Sequence, residues 1–540
     1  MANLNKSLKA IRHNYRPEQK ICPVCGRFLK RSHIQWRKPL LFSTGREEIT
    51  SWAYRCEDMD CPGYQRIWVS QVAESLHLWY RRYSRDLVVK VGYRRFWLHQ
   101  TLEELHEWLT QDLNLPISER EILNVIGDFL ALLRAGQSDK IRQRLEGLKE
   151  LVIGLDGMQP EKGNTCLYIV REMQSGLTLL AENLDDSAHP VLRVRLFEPL
   201  KILAQELDLG WKGVISDAQE SIRLAVSNSL PGVPHQVCQF HCLRDAGSLI
   251  FERDRSLKTH LKSMLRKFLG RLERAIQRLP ATDLQKAILA DYALAIHTTL
   301  LMGGVAPFNL AGLQIMGSLN AISASLQRCQ QKGTHPMLVR LLKVTDQRLP
   351  FQTQAEELQR QRQWLIDLDR LMELDQQPPP TASSVSQAVD QYLQQLITHT
   401  QQSGTIEDQQ AASQINQIVR NLWWGLFTCY AVDGLPRTNN ALEQFIRRIK
   451  MGQRKISGRK NVQDFVLRYG SFAAFIDYAE SEQELCQRLA RVAQTDFRKE
   501  RNALNMIVVK EQKIYRFRFH PQTFLIELES RWEESLRKTS

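Results

Sequence analysis

Three acidic residues occupy positions from which they could do chemistry. The apolar run "ELVIGLDGM" carries Asp156, and the apolar run "WKGVISD" ends on Asp217. Buried strands rarely tolerate a lone acid, so acids at the tips of two such runs imply a shared purpose. Carboxylates held close together repel each other unless a cation neutralises them, and magnesium or manganese does so with hard oxygen ligands. Two such ions can activate an attacking oxygen and stabilise the leaving oxygen of a phosphodiester. Taken singly, each aspartate is better read as a turn or cap residue at a strand end. The third acid, Glu443, sits in "TNNALEQFIRRIKMGQRKISGRK" among Arg447, Arg448, Lys450, Arg454, Lys455, Arg459 and Lys460. It is either a salt-bridge partner or the one acid that a catalytic site needs beside bound polyphosphate.

A second chemistry lies near the N-terminus. Cys22 and Cys25 form a C-x2-C knuckle, and Cys56 and Cys61 form a C-x4-C knuckle after a 30-residue spacer. Four thiolates suit tetrahedral Zn2+, and four protein ligands leave no open position, so a structural zinc is expected. His33 could replace one of the cysteines. The competing reading, four reduced thiols in a small core, is weakened by how few large apolar residues surround them.

The elements that must position these residues follow from spacing. "IQWRKPLLF" and "SWAYRC" alternate enough to give short strands, which makes the cysteine region zinc-ribbon-like. Thr101 with Glu104, and Ser118 with Glu121, are capping-box signatures. Leu102, Leu105 and Leu109 mark the face of the first helix; Ile122, Ile126, Phe129 and Leu133 mark that of the second. Two capped helices around "NLPIS" fit a helix-turn-helix, or nearly as well an ordinary helical hairpin. Arg81, Arg82, Arg85, Arg94 and Arg95 flank them and could contact phosphates.

From residue 150 the order reads strand, strand, strand, helix, strand, helix, strand, ending in "HQVCQFHC". Between Asp217 and Glu443 lie 225 residues, far more than a sheet connection needs. Their amphipathic patterns predict an all-helical insertion, with an exposed loop at "QQPPPTASS" and a Trp423-Trp424 pair that packs rather than intercalates. A helix carrying Glu443 could lie against the sheet and aim that side chain at the strand tips, with Arg447 and Lys450 on the same face. "IYRFRFHPQTFLIEL", from residue 514, reads as a small strand-rich unit.

A chain of 540 residues implies three or four structural units. With 43% hydrophobic and 24% charged residues, and no apolar run of membrane-spanning length, a soluble protein is expected. The first residues lack the apolar core of a signal peptide, so the expected location is the cytoplasm, in association with the nucleoid. The net charge is +14, and the first 100 residues hold 19 Lys and Arg against 8 Asp and Glu. With the second basic concentration at 447–460, this suits a polyanion lying along the protein, usually nucleic acid.

"LDG" at Asp156, "ISDAQ" at Asp217, Cys238-Gln-Phe-His241 and "NNALEQFIRRIK" at Glu443, in this order over these elements, resemble the Asp-Asp-Glu transposases of bacterial insertion sequences. The chain is most similar to their Mutator-like branch, whose RNase H-like core is interrupted by helices. The resemblance covers about 150 to 480, and the zinc-ribbon and helix-turn-helix front end is also similar to such enzymes. It implies an α/β fold: an RNase H-like mixed sheet with helices, a large all-α insertion and an N-terminal DNA-binding region. The implied domains are 1–75, zinc-ribbon-like; 76–145, helix-turn-helix-like; 146–245, first part of the core; 246–435, helical insertion; 436–490, closing helix with Glu443; and 491–540, a C-terminal extension. It implies that Asp156, Asp217 and Glu443 bind Mg2+ or Mn2+, and that Cys238 and His241 position DNA or brace the core. The implied partners are double-stranded DNA, as element ends and target, and further copies of the chain. The implied reaction is cleavage by water followed by attack of the 3′-hydroxyl on target DNA. A DNA-binding descendant that has lost catalysis, or a nuclease or resolvase on the same fold, are the rival readings.

Overall fold

The computed structural model describes residues 11–159, 165–375 and 379–539. The charge of the first ten residues and the head of the Pro-rich break, Gln376–Pro378, lie outside the described residues.

Strands β1 (Ile11–Tyr15), β2 (Lys30–Phe42), β3 (Gly45–Arg55) and β4 (Ile67–Trp68) form a first sheet, in the order β1-β3-β2 with β4 also on β3. β2 and β3 fall on the two runs expected to be short strands and form a long hairpin, antiparallel from Lys30↔Arg55 to Phe42↔Gly45. Gly45 takes φ +123°, a conformation that other residues rarely adopt, and so allows the tight turn.

Helices α1 (Gln71–Ser75), α2 (Arg85–Phe96), α3 (Leu102–Glu107), α4 (Glu119–Ala135) and α5 (Gln137–Leu145) follow. Both capping boxes form: Thr101 with Glu104 opens α3, and Ser118 with Glu121 opens α4. Leu105, Leu109, Ile122, Ile126, Phe129 and Leu133 are buried together, as their spacing predicts. α2 packs so close to α4 that a Cβ at Gly92 would come 2.0 Å from the Phe129 ring, so only glycine fits there.

The expected order then unfolds as β5 (Glu150–Met158), β6 (Cys166–Glu172), β7 (Leu177–Leu184), α6 (His189–Leu192), α7 (Glu198–Glu206), β8 (Gly210–Ser216), α8 (Glu220–Ser229) and β9 (His235–Val237). These five strands form one sheet in the order β7-β6-β5-β8-β9. β6 and β7 are antiparallel, whereas β8 and β9 are parallel. The fold is thus mixed α/β with a large helical region.

α9 (Gln239–Ala246) begins directly after β9, so the expected strand "HQVCQFHC" is only three residues long. The insertion is all helical among the described residues: α10 (Ser248–Gln277), α11 (Lys286–Thr299), α12 (Ala311–Lys332), α13 (Pro336–Asp346), α14 (Gln352–Leu371), α15 (Ala382–Ser403), α16 (Ile406–Asn421) and α17 (Trp423–Leu426). Trp423 packs edge-on against Phe427 with ring centres 4.8 Å apart, as expected of a packing residue. The chain closes with α18 (Asn440–Ser457), α19 (Gln463–Ala473), α20 (Glu482–Ala490), α21 (Gln494–Phe519) and α22 (Pro521–Thr539). The strand-rich terminal unit expected from "IYRFRFHPQTFLIEL" is therefore corrected to two helices. The alternation spans too few residues to outweigh the helix running in from Gln494, and Pro521 starts the next helix at its first position, where proline is tolerated.

The chain divides into two compact units. One draws on the described residues of Met1–Lys149, Leu155–Gly210 and Ala441–Ser540, the other on Glu150–Gly154 and Trp211–Asn440. The first has a core running through α2, α4, β6, α18 and α19. The second has its own core, built on α10, α12, α14 and α16. No described helix is long and apolar enough to cross a membrane.

Candidate functional site

The cysteine site is assembled by the first sheet and its flanking turns. Ligand atoms of Cys22, Cys25, Cys56 and Cys61 all lie within 4.8 Å of one another, close enough to hold one metal ion. Cys22 and Cys61 approach to 3.8 Å and Cys25 and Cys56 to 3.7 Å, too far for disulfides. Burial works against a Cys22 thiolate, but backbone N–H groups of Cys25 and Val24 and the neighbouring sulfurs outweigh it, bringing the thiol down to about 7. Burial pushes Cys61 up to about 12. His33 is not in the cluster; it sits in β2 beside Ser32, so four sulfurs complete the set without it.

Asp156 lies within β5, after the buried run Leu151–Leu155, and is itself half-buried. Asp217 follows β8 directly, and its Oδ1 accepts the Gln219 N–H at 3.2 Å. Burial raises the Asp217 pKa and Asp245 adds to the rise, while the Gln219 N–H and Arg244 oppose it. Arg244 and Asp245 were not singled out in the sequence; they follow the Cys238–Cys242 stretch by one turn of helix, a signal too weak to read alone. Ser216, beside Asp217, pairs its Oγ with His235 Nε2 at 2.8 Å.

Glu443 sits in the first turn of α18, half-buried. Leu442, Phe445, Ile446, Ile449 and Ile456 form the buried face of that helix. Arg447, Arg448, Arg454 and Lys455 are exposed on it, and Arg459 and Lys460 are exposed just beyond. Lys450 differs from them. It is half-buried and lies in the field of Asp156, which favours its charge, while burial and Arg454 lower its pKa. Asp156 and Glu443 thus fall in one compact unit, with Lys450 on the same helix as Glu443 and in the field of Asp156, and Asp217 falls in the other.

Cys238 is fully buried, and its Sγ accepts the Asn439 N–H at 3.2 Å, holding the residue that precedes α18. His241 is also buried, which lowers its pKa to about 4 and keeps the ring neutral. Of the two roles expected for this pair, bracing fits and contact with DNA does not, because neither side chain reaches the surface. Gln239, Gln236 and Arg437 extend this brace and were not anticipated. The Gln239 N–H donates to Arg437 O at 3.0 Å, and Gln236 Nε2 donates to Leu426 O at 3.0 Å.

The flanking arginines are corrected in part. Arg85 is buried, and its Nη1 donates to the carbonyls of Leu489, Ala490 and Val492 at 2.8–2.9 Å, so it braces α20 and cannot meet a phosphate. Arg81 chelates Asp128, and Arg82 pairs with Glu121. Arg94 stacks over Trp108 at 4.0 Å, and Arg95 donates to Gln100 O at 2.8 Å, so both are half-buried in local contacts. α4 is buried from Val125 to Leu133, as a core helix is, and opens to solvent only at Glu119, Arg120, Leu123 and Asn124. α3 and α4 thus pack as two capped helices, as both the helix-turn-helix and the helical-hairpin readings require. Comparison with protein-family models finds none that matches this chain, and no curated protein matches it.

Proposed function

We propose that the chain is a metal-dependent DNA transposase with an RNase H-like core, which cuts insertion-sequence ends and joins them to target DNA. One observation carries the reading. In the sheet order β7-β6-β5-β8-β9, the strand bearing Asp156 neighbours the strand that leads into Asp217. The reading requires Glu443 to complete that pair and all three acids to share Mg2+ or Mn2+. The donor set fits such ions, being all hard carboxylate oxygens, and Asp217, half-buried with its pKa raised by burial, would gain from a bound cation. Bound there, a divalent ion stabilises charge in an in-line displacement at phosphorus. The chain's own residues do the rest. Lys450 balances Asp156 until an ion binds, Cys238 fixes the entry to α18, and the exposed cations from Arg447 to Lys460 hold the DNA backbone. We further propose that the four-cysteine cluster holds a structural Zn2+.

Strand transfer separates this reading from a nuclease on the same fold. Purified chain, Mg2+ and linear DNA carrying the ends that flank the gene should yield joined products. Hydrolysed ends without any joined product would support a nuclease instead.

A further inference from the structure

A cavity of about 60 Å³ is lined by Gln137, Lys140, Arg171, Thr178, Arg448 and Tyr478, with Asp477 its one acidic wall among the described residues. None of the three carboxylates discussed above lines it. Arg171, near the end of β6, is the unusual member. Its guanidinium carbon lies 3.9 Å over the Phe445 ring, and its buried Nε has no hydrogen-bond partner. Gln137 presents the opposite chemistry. Its Nε2 donates to Thr178 O at 3.0 Å, whereas its buried Oε1 has no partner. Unpaired buried donors, above all charged ones, are costly, and a fold keeps them where a ligand satisfies them.

The local charges sharpen this. Lys140 is already taken by Asp477 at 2.8 Å and Glu480 at 3.0 Å. Asp477 is likewise committed, to Lys140 and to the Ala479 N–H at 3.1 Å, with Arg144 at 3.7 Å. That leaves Arg171 and Arg448 as two guanidinium groups lining one small cavity; burial and then Arg448 disfavour the Arg171 charge, and Asp477 favours it. Arg448 lies over the Tyr478 ring at 5.5 Å, so that wall also offers a phenol hydroxyl. A planar fork of N–H donors is the preferred partner of phosphate oxygens. The volume has room for a few waters, which suits one small tetrahedral group.

We infer that this cavity is a binding site for a single phosphate-class oxyanion, held by Arg171 and Arg448 with Tyr478 as a neutral partner, while the unpaired Gln137 Oε1, an acceptor, takes a water rather than the anion. The site does not depend on the transposase reading, because it needs neither the three acids nor a divalent ion. The group could arrive as free phosphate or as one phosphodiester of a DNA backbone, and the two are separable.

Thermal melts of the full chain in EDTA-free, zinc-containing buffer test it, with inorganic phosphate or a short DNA duplex as the added probe. Free phosphate as ligand predicts that phosphate raises the melting temperature of the wild type, and that Arg171→Met needs about tenfold more for the same shift. A phosphodiester as ligand predicts that phosphate has no effect, while the duplex binds about tenfold more weakly to Arg171→Met. Without ligand, Arg171→Met should melt at or above the wild type, since it removes an unpaired buried charge. Arg448 is exposed, so Arg448→Gln keeps the fold and should also weaken the probe severalfold. Because Arg448 also belongs to the α18 cations proposed to hold DNA, Arg448→Gln is read with inorganic phosphate only; if Arg171→Met does not fold, Arg171→Lys, which keeps the charge but loses the planar fork, takes its place with both probes. Equal responses of wild type and variants to both probes would overturn the site.

Discussion

At the scale of single residues, the chain holds charge where burial makes charge expensive. Asp217 has its pKa raised by burial, so between the ordinary and the raised value the folded chain binds a proton that the unfolded chain does not. Stability therefore falls as pH rises through that window. Asp217→Asn removes the penalty. In EDTA it should be more stable than the wild type at pH 7, by on the order of 1 kcal/mol, with the advantage gone near pH ~2, well below the ordinary aspartate pKa, where both states are protonated. Melts at the two pH values check this, and a variant less stable at pH 7 would count against a site kept for function. Arg85 is the opposite case, a buried cation fully used. Arg85→Ala strands three carbonyls at the C-terminal end of α20 and just beyond it and should cost about 3 kcal/mol in urea unfolding. For the cysteines, metal analysis should find about one zinc per chain, and Cys61→Ser should lose it along with cooperative melting of the first sheet. Well under half a zinc per chain in the wild type would remove the zinc assignment.

At the scale of elements, what could be read from sequence was what local chemistry decides. Both capping boxes are four-residue patterns that specify a helix start, and both formed; Ser118→Ala should cost about 1 kcal/mol. The order of strands and helices from β5 to β9 was legible because buried strands are written as apolar runs of the right length. α2 was not, because "DLVVKVGY" is rich in β-branched residues and only its packing against Phe129 makes it a helix. The Arg-Phe alternation at the end of α21 misled for the same reason, since four residues cannot distinguish a strand from a helix continuing. The role of Arg85 was invisible too, because its carbonyl partners lie more than 400 residues away in sequence. α18 was read correctly as an amphipathic basic helix, but its sequence alone does not separate Lys450, drawn to Asp156, from its exposed neighbours. Replacing Arg454, Lys455, Arg459 and Lys460 by Gln should therefore weaken DNA binding and flatten its salt dependence by up to ~3–4 in slope. An unchanged slope would place the DNA elsewhere.

At the scale of the whole molecule, the positive charge is concentrated in the basic first hundred residues and the 447–460 segment, and the remainder of the chain is slightly acidic, giving +14 in all. The long helical region between Asp217 and Glu443 builds a second core of its own rather than extending the sheet. The acids that the proposed function needs are thus far apart in sequence, and each is borne by an element whose form the sequence specifies locally. The most direct test of that proposal is Mg2+-dependent cutting of end-bearing DNA by the wild type and by Asp156→Asn, Asp217→Asn and Glu443→Gln. The account predicts that each variant binds the DNA as the wild type does and cuts at least ~10³-fold more slowly. Normal cutting by any one of the three would contradict it.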